Sequence, residues 1–506
     1  MRTLNSAKNL ITSIGITLVM TFLGFFTRKI FVDSIGVEYI GLNGFLSNIL
    51  GIMSLLEGGF ATSVIYNMYK PIAAEDHPKI IALLQLYKKV YRWIAFGIFI
   101  LSLLIYPFLD IFIKDVASLS YVSIVYFIFV FNTLVGYFTA HKWAMINASQ
   151  KAYKLAFINL TYQVGLSLAK ILILYYTKDY ILYLIIESMF GIGQNIAIAK
   201  KCNKMFPYIT TRKKYPIEKA VKDDIIKKMK ALFLSSLGGY FMTSTDNIII
   251  SSFLGVSIIG YYSNYTLIVG LLRSFSDRVL TSYSESVGNL IASENEKEIY
   301  KVFRVAFFLD FIIASLLVII LWNTLDYFIT WWLGKDYVLD QYIKAAILLN
   351  AYIMTMRGSA FIFKQKAGIF MQDRFTPLLQ GIINVALSII FVQYWGLAGV
   401  IFATIISLLS IGFWQFPRLC YKYIFHLSVA RYFHVYIIYT LAMLSALTIS
   451  HIICNYISIN DLFIQSIVNG MISFITFFII VFFFFYYTYP FQQLLKYINT
   501  LFSKAK

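Results

Sequence analysis

The sequence predicts an all-α integral membrane protein that crosses the bilayer through about fourteen helices, with both termini on the cytoplasmic side. Three observations predict it. The chain is 59% hydrophobic and only 13% charged, against roughly 25% charged residues in an average soluble domain, and its mean hydropathy is +0.74. Apolar runs of roughly 18 or more residues recur along nearly the whole chain, each long enough to cross a hydrocarbon core about 30 Å thick. Basic residues fall in alternate loops between those runs.

The runs do not alternate apolar and polar positions, as membrane strands do, so helices are expected. In order, the spans are 10–32, 41–65, 90–113, 121–141, 155–177, 180–200, 231–253, 258–280, 303–325, 341–363, 377–395, 397–416, 432–453 and 464–489. Arg2 and Lys8 precede the first, a pattern that resembles a signal peptide. That run is too long and has no clear small-residue cleavage site, and it reads as a retained helix. Loops expected inside hold Lys70, Lys79, Lys88, Lys89 and Arg92, then Lys142, Lys151 and Lys154, then Lys364, Lys366 and Arg374, then Arg418, Lys422 and Arg431. Outer loops hold little beyond Lys114, Lys178, Lys335 and Lys344. The formal net charge of +19 is therefore explained by topology and not by nucleic acid.

The longest interruption, about 200–230, is strongly basic and reads as a cytoplasmic linker, a segment that also suits an anionic lipid surface. It divides an N-terminal bundle of spans 1–6 (1–200), across the linker 201–230, from a second bundle of spans 7–12 (231–416), with two extra C-terminal helices in 417–506. An internal repeat supports two pseudo-symmetric bundles. Gly36-Val37-Glu38-Tyr39-Ile40-Gly41 matches Gly255-Val256-Ser257-Ile258-Ile259-Gly260 as G-V-x-x-I-G, each copy in a short outer turn between two spans. Parallel repeats of this kind occur in transporters with alternating access.

Ionised groups are costly in a bilayer and usually face a protein interior or a watery cavity. Arg28, Glu57, Lys170, Glu187, Asp246, Arg273, Asp310 and Arg357 all fall within expected spans. They are the candidate site residues, forming a polar and partly cationic substrate cavity. Arginine suits phosphate through paired, charge-assisted hydrogen bonds, and a nearby carboxylate could pair with it or carry a coupling proton. The bland alternative for each is a snorkelling group or a structural ion pair. No catalytic residue, metal site or cofactor is expected. His77, His141, His426, His434 and His451 form no ligand motif, and Cys202, Cys420 and Cys454 are widely spaced. Neither a nucleotide-binding loop nor a nucleophile elbow is present.

A family resemblance rests on particular stretches. Gly24-Phe25-Phe26-Thr27-Arg28, the first G-V-x-x-I-G copy with Leu42-Asn43-Gly44, Leu55-Leu56-Glu57-Gly58-Gly59-Phe60 and Tyr66-Asn67-Met68-Tyr69-Lys70-Pro71 succeed one another between 24 and 71. Further on come Trp331-Trp332-Leu333-Gly334-Lys335-Asp336-Tyr337 and Tyr394-Trp395-Gly396-Leu397-Ala398-Gly399. Together these resemble the Wzx-type sugar translocases, the polysaccharide repeat-unit flippases of the MOP (MATE-like) superfamily. The resemblance implies a MATE-like fold and a cargo, an undecaprenyl-diphosphate-linked oligosaccharide, carried from the inner to the outer leaflet of a bacterial cell membrane. It also implies a diphosphate-binding role for Arg28, a family-typical glutamate in Glu57, and downstream partners such as a polysaccharide polymerase. Net export would need coupling to H⁺ or Na⁺, to the membrane potential, or to consumption of the product. A monomer is expected, since the cavity forms within one chain. Alternatives are a lipid II flippase, a MATE-type cation exporter or, from another class, a membrane polysaccharide polymerase. Multiple intramembrane cations argue against the exporter, and the lack of a large outer loop against the polymerase.

Overall fold

The structure, a computed structural model, describes residues 19–114 and 121–504, and every regular element among them is helical. Among the described residues, ten helices are long and apolar enough to cross a membrane, so the chain is a multi-pass membrane protein. The difference from fourteen has local causes. The expected first span begins at 10, and positions 10–18 lie outside the described residues; its described part is α1 (19–34), too short to count alone. Spans eleven and twelve form one run, Thr376–Tyr423, because helical pairing continues across Gly396, whose φ of 55° and ψ of −133° mark the turn. Spans seven and eight are described as helices, but the first breaks at Ser244 and the second carries Arg273, Asp277 and Arg278.

The chain forms two compact units, Met1–Gly260 and Tyr261–Lys506. In the first, α1 precedes α2 (Val37–Ser54), α3 (Phe60–Ala73), α4 (His77–Ile105), α5 (Val122–Ala148), α6 (Ala156–Tyr176) and α7 (Tyr180–Met205). Then come α8 (Lys219–Thr243) and α9 (Thr245–Leu254), and α10 (Val256–Ser293) begins. The stretch 211–218 is non-helical, and the helix starts at Lys219 because Pro216 disfavours helix immediately before it. Helix α5 packs against α4 and α7, α6 against α7, α3 against α8, and α2 against α9.

The two G-V-x-x-I-G copies meet inside this unit. Gly36 and Gly255 precede α2 and α10 with nearly the same backbone conformation, φ 110°, ψ 164° and φ 94°, ψ 162°. Only glycine adopts this region readily. The last glycine of each copy lies on the valine of the other: a Cβ at Gly41 would collide with the Val256 carbonyl oxygen, and one at Gly260 with that of Val37. The sequence repeat is therefore a reciprocal backbone contact between α2 and the first turn of α10.

In the second unit α10 continues, and after it come α11 (Glu296–Trp332), α12 (Gln341–Met356), α13 (Gly358–Lys366), α14 (Thr376–Ser407), α15 (Phe413–Tyr423), α16 (Ala430–Tyr456), α17 (Leu462–Phe485) and α18 (Tyr489–Lys504). Helix α11 is the core element. Phe303, Phe308, Phe311, Ala314 and Ile319 are all fully or almost fully buried, as expected of a helix that is apolar on every side. It packs on α12, α16, α17 and α18. Asn323 fixes α16 and α17 to it, donating to the Ser450 and Ser473 hydroxyls at 3.0 Å each, while Asn469 donates to its carbonyl at 3.1 Å. Buried amides with such partners hold helices together where lipid offers none.

Candidate functional site

Three of the candidate charges gather in the first unit. Lys170 on α6 lies 3.0 Å from the Glu187 carboxylate on α7. Its ammonium also sits 4.3 Å from the centre of the Tyr183 ring. Arg28 on α1 is half-buried and lies within electrostatic range of the Tyr183 hydroxyl. Tyr183 is thus the hub, and Phe31 packs edge-on against it at 5.1 Å. One turn away, Tyr180 donates to the Asn43 side chain on α2 and packs on Tyr39 at 4.6 Å. Neither tyrosine was a sequence candidate; the signal for them is the i, i+3 and i+4 spacing of Tyr180, Tyr183 and Glu187 on one helix face.

The cluster is only partly closed. The Lys170 side chain is 12% exposed, but Glu187 is 42% exposed. Lys170 and Glu187 pair with each other, and Arg28 brings a second cation to the group. Aromatic faces beside the cations add attraction for positive groups, while the edge of a guanidinium offers paired donors to an anion.

Glu57 lies elsewhere in this unit. It ends the short 3₁₀ turn after α2, where Gly58 and Gly59 both take positive φ. Its carboxylate lies near the Tyr91 hydroxyl, and Tyr91 stacks on Tyr87 at 4.3 Å and meets Tyr137 at 5.4 Å. Asp246 sits in the first turn of α9, just after the break at Ser244. A carboxylate there lies at the favourable, positive end of a helix dipole.

Arg273, Asp310 and Arg357 belong to the second unit. The span that contains Arg357 is broken at that residue into α12 and α13. Asp310 is fully buried and accepts from the Ser359 amide at 2.7 Å, so it caps the new helix start. Tyr283 and Ser359 share a hydroxyl contact at 3.2 Å beside it. Arg357 projects over the Phe416 ring at 4.9 Å, and Arg273 is near enough for the two like charges to interact. Two further ion pairs in this unit, outside the predicted set, have a buried lysine. Lys364 pairs with Asp373, with side chains 6% and 7% exposed, and Lys344 pairs with Asp326. Both lysines read in the sequence as loop charges. Among the described residues, no group of three or more His, Cys, Asp or Glu could hold a metal ion.

No protein-family model matches the sequence, and no curated protein matches it. Solved structures do match. One is a lipid II flippase, MurJ, in an inward closed conformation, with a TM-score of 0.69 and 16% identity, covering 94% of this chain and 99% of that one. The fold is that of the MATE-like transporters. A multidrug resistance MATE family transporter of the MOP superfamily, inward-facing, matches with a TM-score of 0.62 and 12% identity over 79% of this chain and 94% of its own. A MOP superfamily transporter from Pyrococcus furiosus, described by the reverse polarity of its binding pocket, gives 0.53 and 13% over 82% and 96%. The MATE-like architecture expected from the sequence is therefore present along nearly the whole chain.

Proposed function

We propose that the protein is a flippase for polyprenyl-diphosphate-linked saccharides, serving surface polysaccharide assembly. The observation that carries this reading is the Arg28–Lys170–Glu187 group around Tyr183, half-open and with two cations to one carboxylate. A cation exporter would need the opposite balance, with carboxylates in excess among the aromatic faces. A diphosphate cannot enter hydrocarbon without replacement of its water shell. Arg28 supplies that replacement through paired hydrogen bonds, with Lys170 as a second donor when Glu187 turns away. The saccharide meets tyrosine faces and hydroxyls at Tyr39, Tyr180 and Tyr183, and the polyprenyl tail stays in lipid.

Likeness of fold to a lipid II flippase supports a lipid-linked cargo, and its sugar is the open variable. The repeat-unit reading rests on the motif resemblance; lipid II itself is the second reading, favoured by that fold likeness. Proteoliposomes holding the purified protein decide between them, assayed with a diphosphate-linked oligosaccharide, with lipid II and with an organic cation. Translocation of the oligosaccharide lipid alone is the expected result. Lipid II translocation alone would change the sugar and keep the site. Cation efflux without lipid movement would overturn the proposal.

A further inference from the structure

A cleft of about 250 Å³ opens in the second unit where α11, α16, α17 and the start of α18 converge. Its lining includes Arg304, Phe307, Ile438, Tyr439, Phe484 and Phe485. Arg304 is the last residue of the polar start of α11, Glu296 to Arg304, before the long apolar run begins at Val305. In a helix that crosses a bilayer, this is the depth of the head groups. The apolar run of α17 ends at the same cleft, at Phe485.

The guanidinium of Arg304 is exposed and lies 5.6 Å from the centre of the Tyr489 ring. Among the described residues it forms no ion pair. The carboxylates on the preceding turns are occupied, Glu298 by Lys301 at 2.7 Å and Glu296 by His426 at 2.8 Å. Helix α18 contains no acidic residue and carries Lys496. It is anchored by Phe491, which meets Phe308, Phe482 and Tyr486. Below Arg304, Ile438 and Phe484 are 41% and 61% exposed, flanking an aromatic-walled slot. A single cation above an apolar slot matches a molecule with one phosphate and a hydrocarbon chain.

We propose that this cleft binds one anionic glycerophospholipid, its phosphate on Arg304 and an acyl chain between α16 and α17. A zwitterionic head group fits less well, because the carboxylates on the preceding turns, Glu296 and Glu298, already pair with His426 and Lys301 and leave its ammonium no partner. A free phosphate would gain nothing from the aromatic walls. The site uses none of the residues of the Arg28 cluster, and its occupancy fastens α18 and the two helices α16 and α17 to α11.

Native mass spectrometry of the full chain in detergent, titrated with dioleoyl phosphatidylglycerol, tests this. Arg304→Gln should weaken the first binding step by about tenfold, the scale of one charge-assisted contact. Ile438→Trp, which fills the slot while keeping the charge, should weaken it similarly. Dioleoyl phosphatidylcholine should bind the wild type more weakly than phosphatidylglycerol. Equal affinity in wild type and Arg304→Gln would overturn the proposal. So would displacement of the lipid by inorganic phosphate, or preferential binding of undecaprenyl phosphate, which would make the cleft a carrier-lipid site.

Discussion

The two units close off their carboxylates, and the lysines beside them, to different degrees. In the second, Asp310 is fully buried, and Lys364, Asp373 and Lys344 are nearly so, each held by a partner on another turn or helix. In the first, Arg28 and Glu57 are half-buried, and Glu187 is 42% exposed beside a lysine that is 12% exposed. A sealed pair has satisfied its desolvation cost internally and has nothing left to offer a ligand. A half-open pair can exchange its partner for a substrate. The difference teaches that a charge inside a membrane helix is a question, and the answer lies in whether its counter-charge closes over it.

The largest effect that would break this comparison is in the second unit. Asp373→Ala should leave Lys364 buried and unpaired, at about 3–5 kcal/mol, whereas the double change Lys364→Met with Asp373→Leu should recover most of that loss. Thermal unfolding in detergent measures both. If Asp373→Ala were neutral, that pair would not be structural. Next, Gly41→Ala and Gly260→Ala should each destabilise by about 1–3 kcal/mol, since neither backbone can yield to the added methyl group without displacing the other. Gly24→Ala, with nothing within 4 Å, should leave unfolding unchanged.

Much of this was readable in the sequence. The glycine repeat was visible, but it was read as a sign of two bundles and not as a contact between its copies, while charges within apolar runs picked out Arg28, Lys170 and Glu187. Tyr183 was not, because tyrosine is abundant here and only the packing of α1, α6 and α7 selects it. Lys344 and Lys364 were hidden for a different reason. Their acids, Asp326 and Asp373, lie on other segments, and both lysines sit near span ends where the charge pattern expects loop residues. The cap role of Asp310 required knowing that the helix breaks at Arg357, and the sequence there contains no proline, only Gly358.

In the first unit the prediction reverses sign. Arg28→Ala should leave the unfolding temperature nearly unchanged and lower lipid translocation by about tenfold or more, with Arg28→Lys intermediate, since an ammonium lacks the paired fork. A smaller effect concerns the start of α8. Asp224 accepts from Asn67 on α3 at 3.0 Å and from Lys228 at 2.6 Å. The Lys228 contact, then the Asn67 one, holds its carboxyl below the ordinary value of 3.8. A depressed carboxyl stabilises the contact above its unfolded value, and the contact is lost as pH falls through the folded one. Hydrogen exchange of the amides in 219–228 should therefore quicken only under acid conditions below the ordinary carboxyl range, and in Asp224→Asn it should be faster at neutral pH.

The most direct test is the affinity of the purified protein for undecaprenyl diphosphate, compared between Arg28→Ala and the double variant Lys364→Met with Asp373→Leu. If the half-open cluster grips the diphosphate, Arg28→Ala weakens binding by about tenfold or more, and the double variant binds within about twofold of wild type. Undiminished binding in Arg28→Ala, with loss in the double variant, would contradict the assignment and move the site to the second unit.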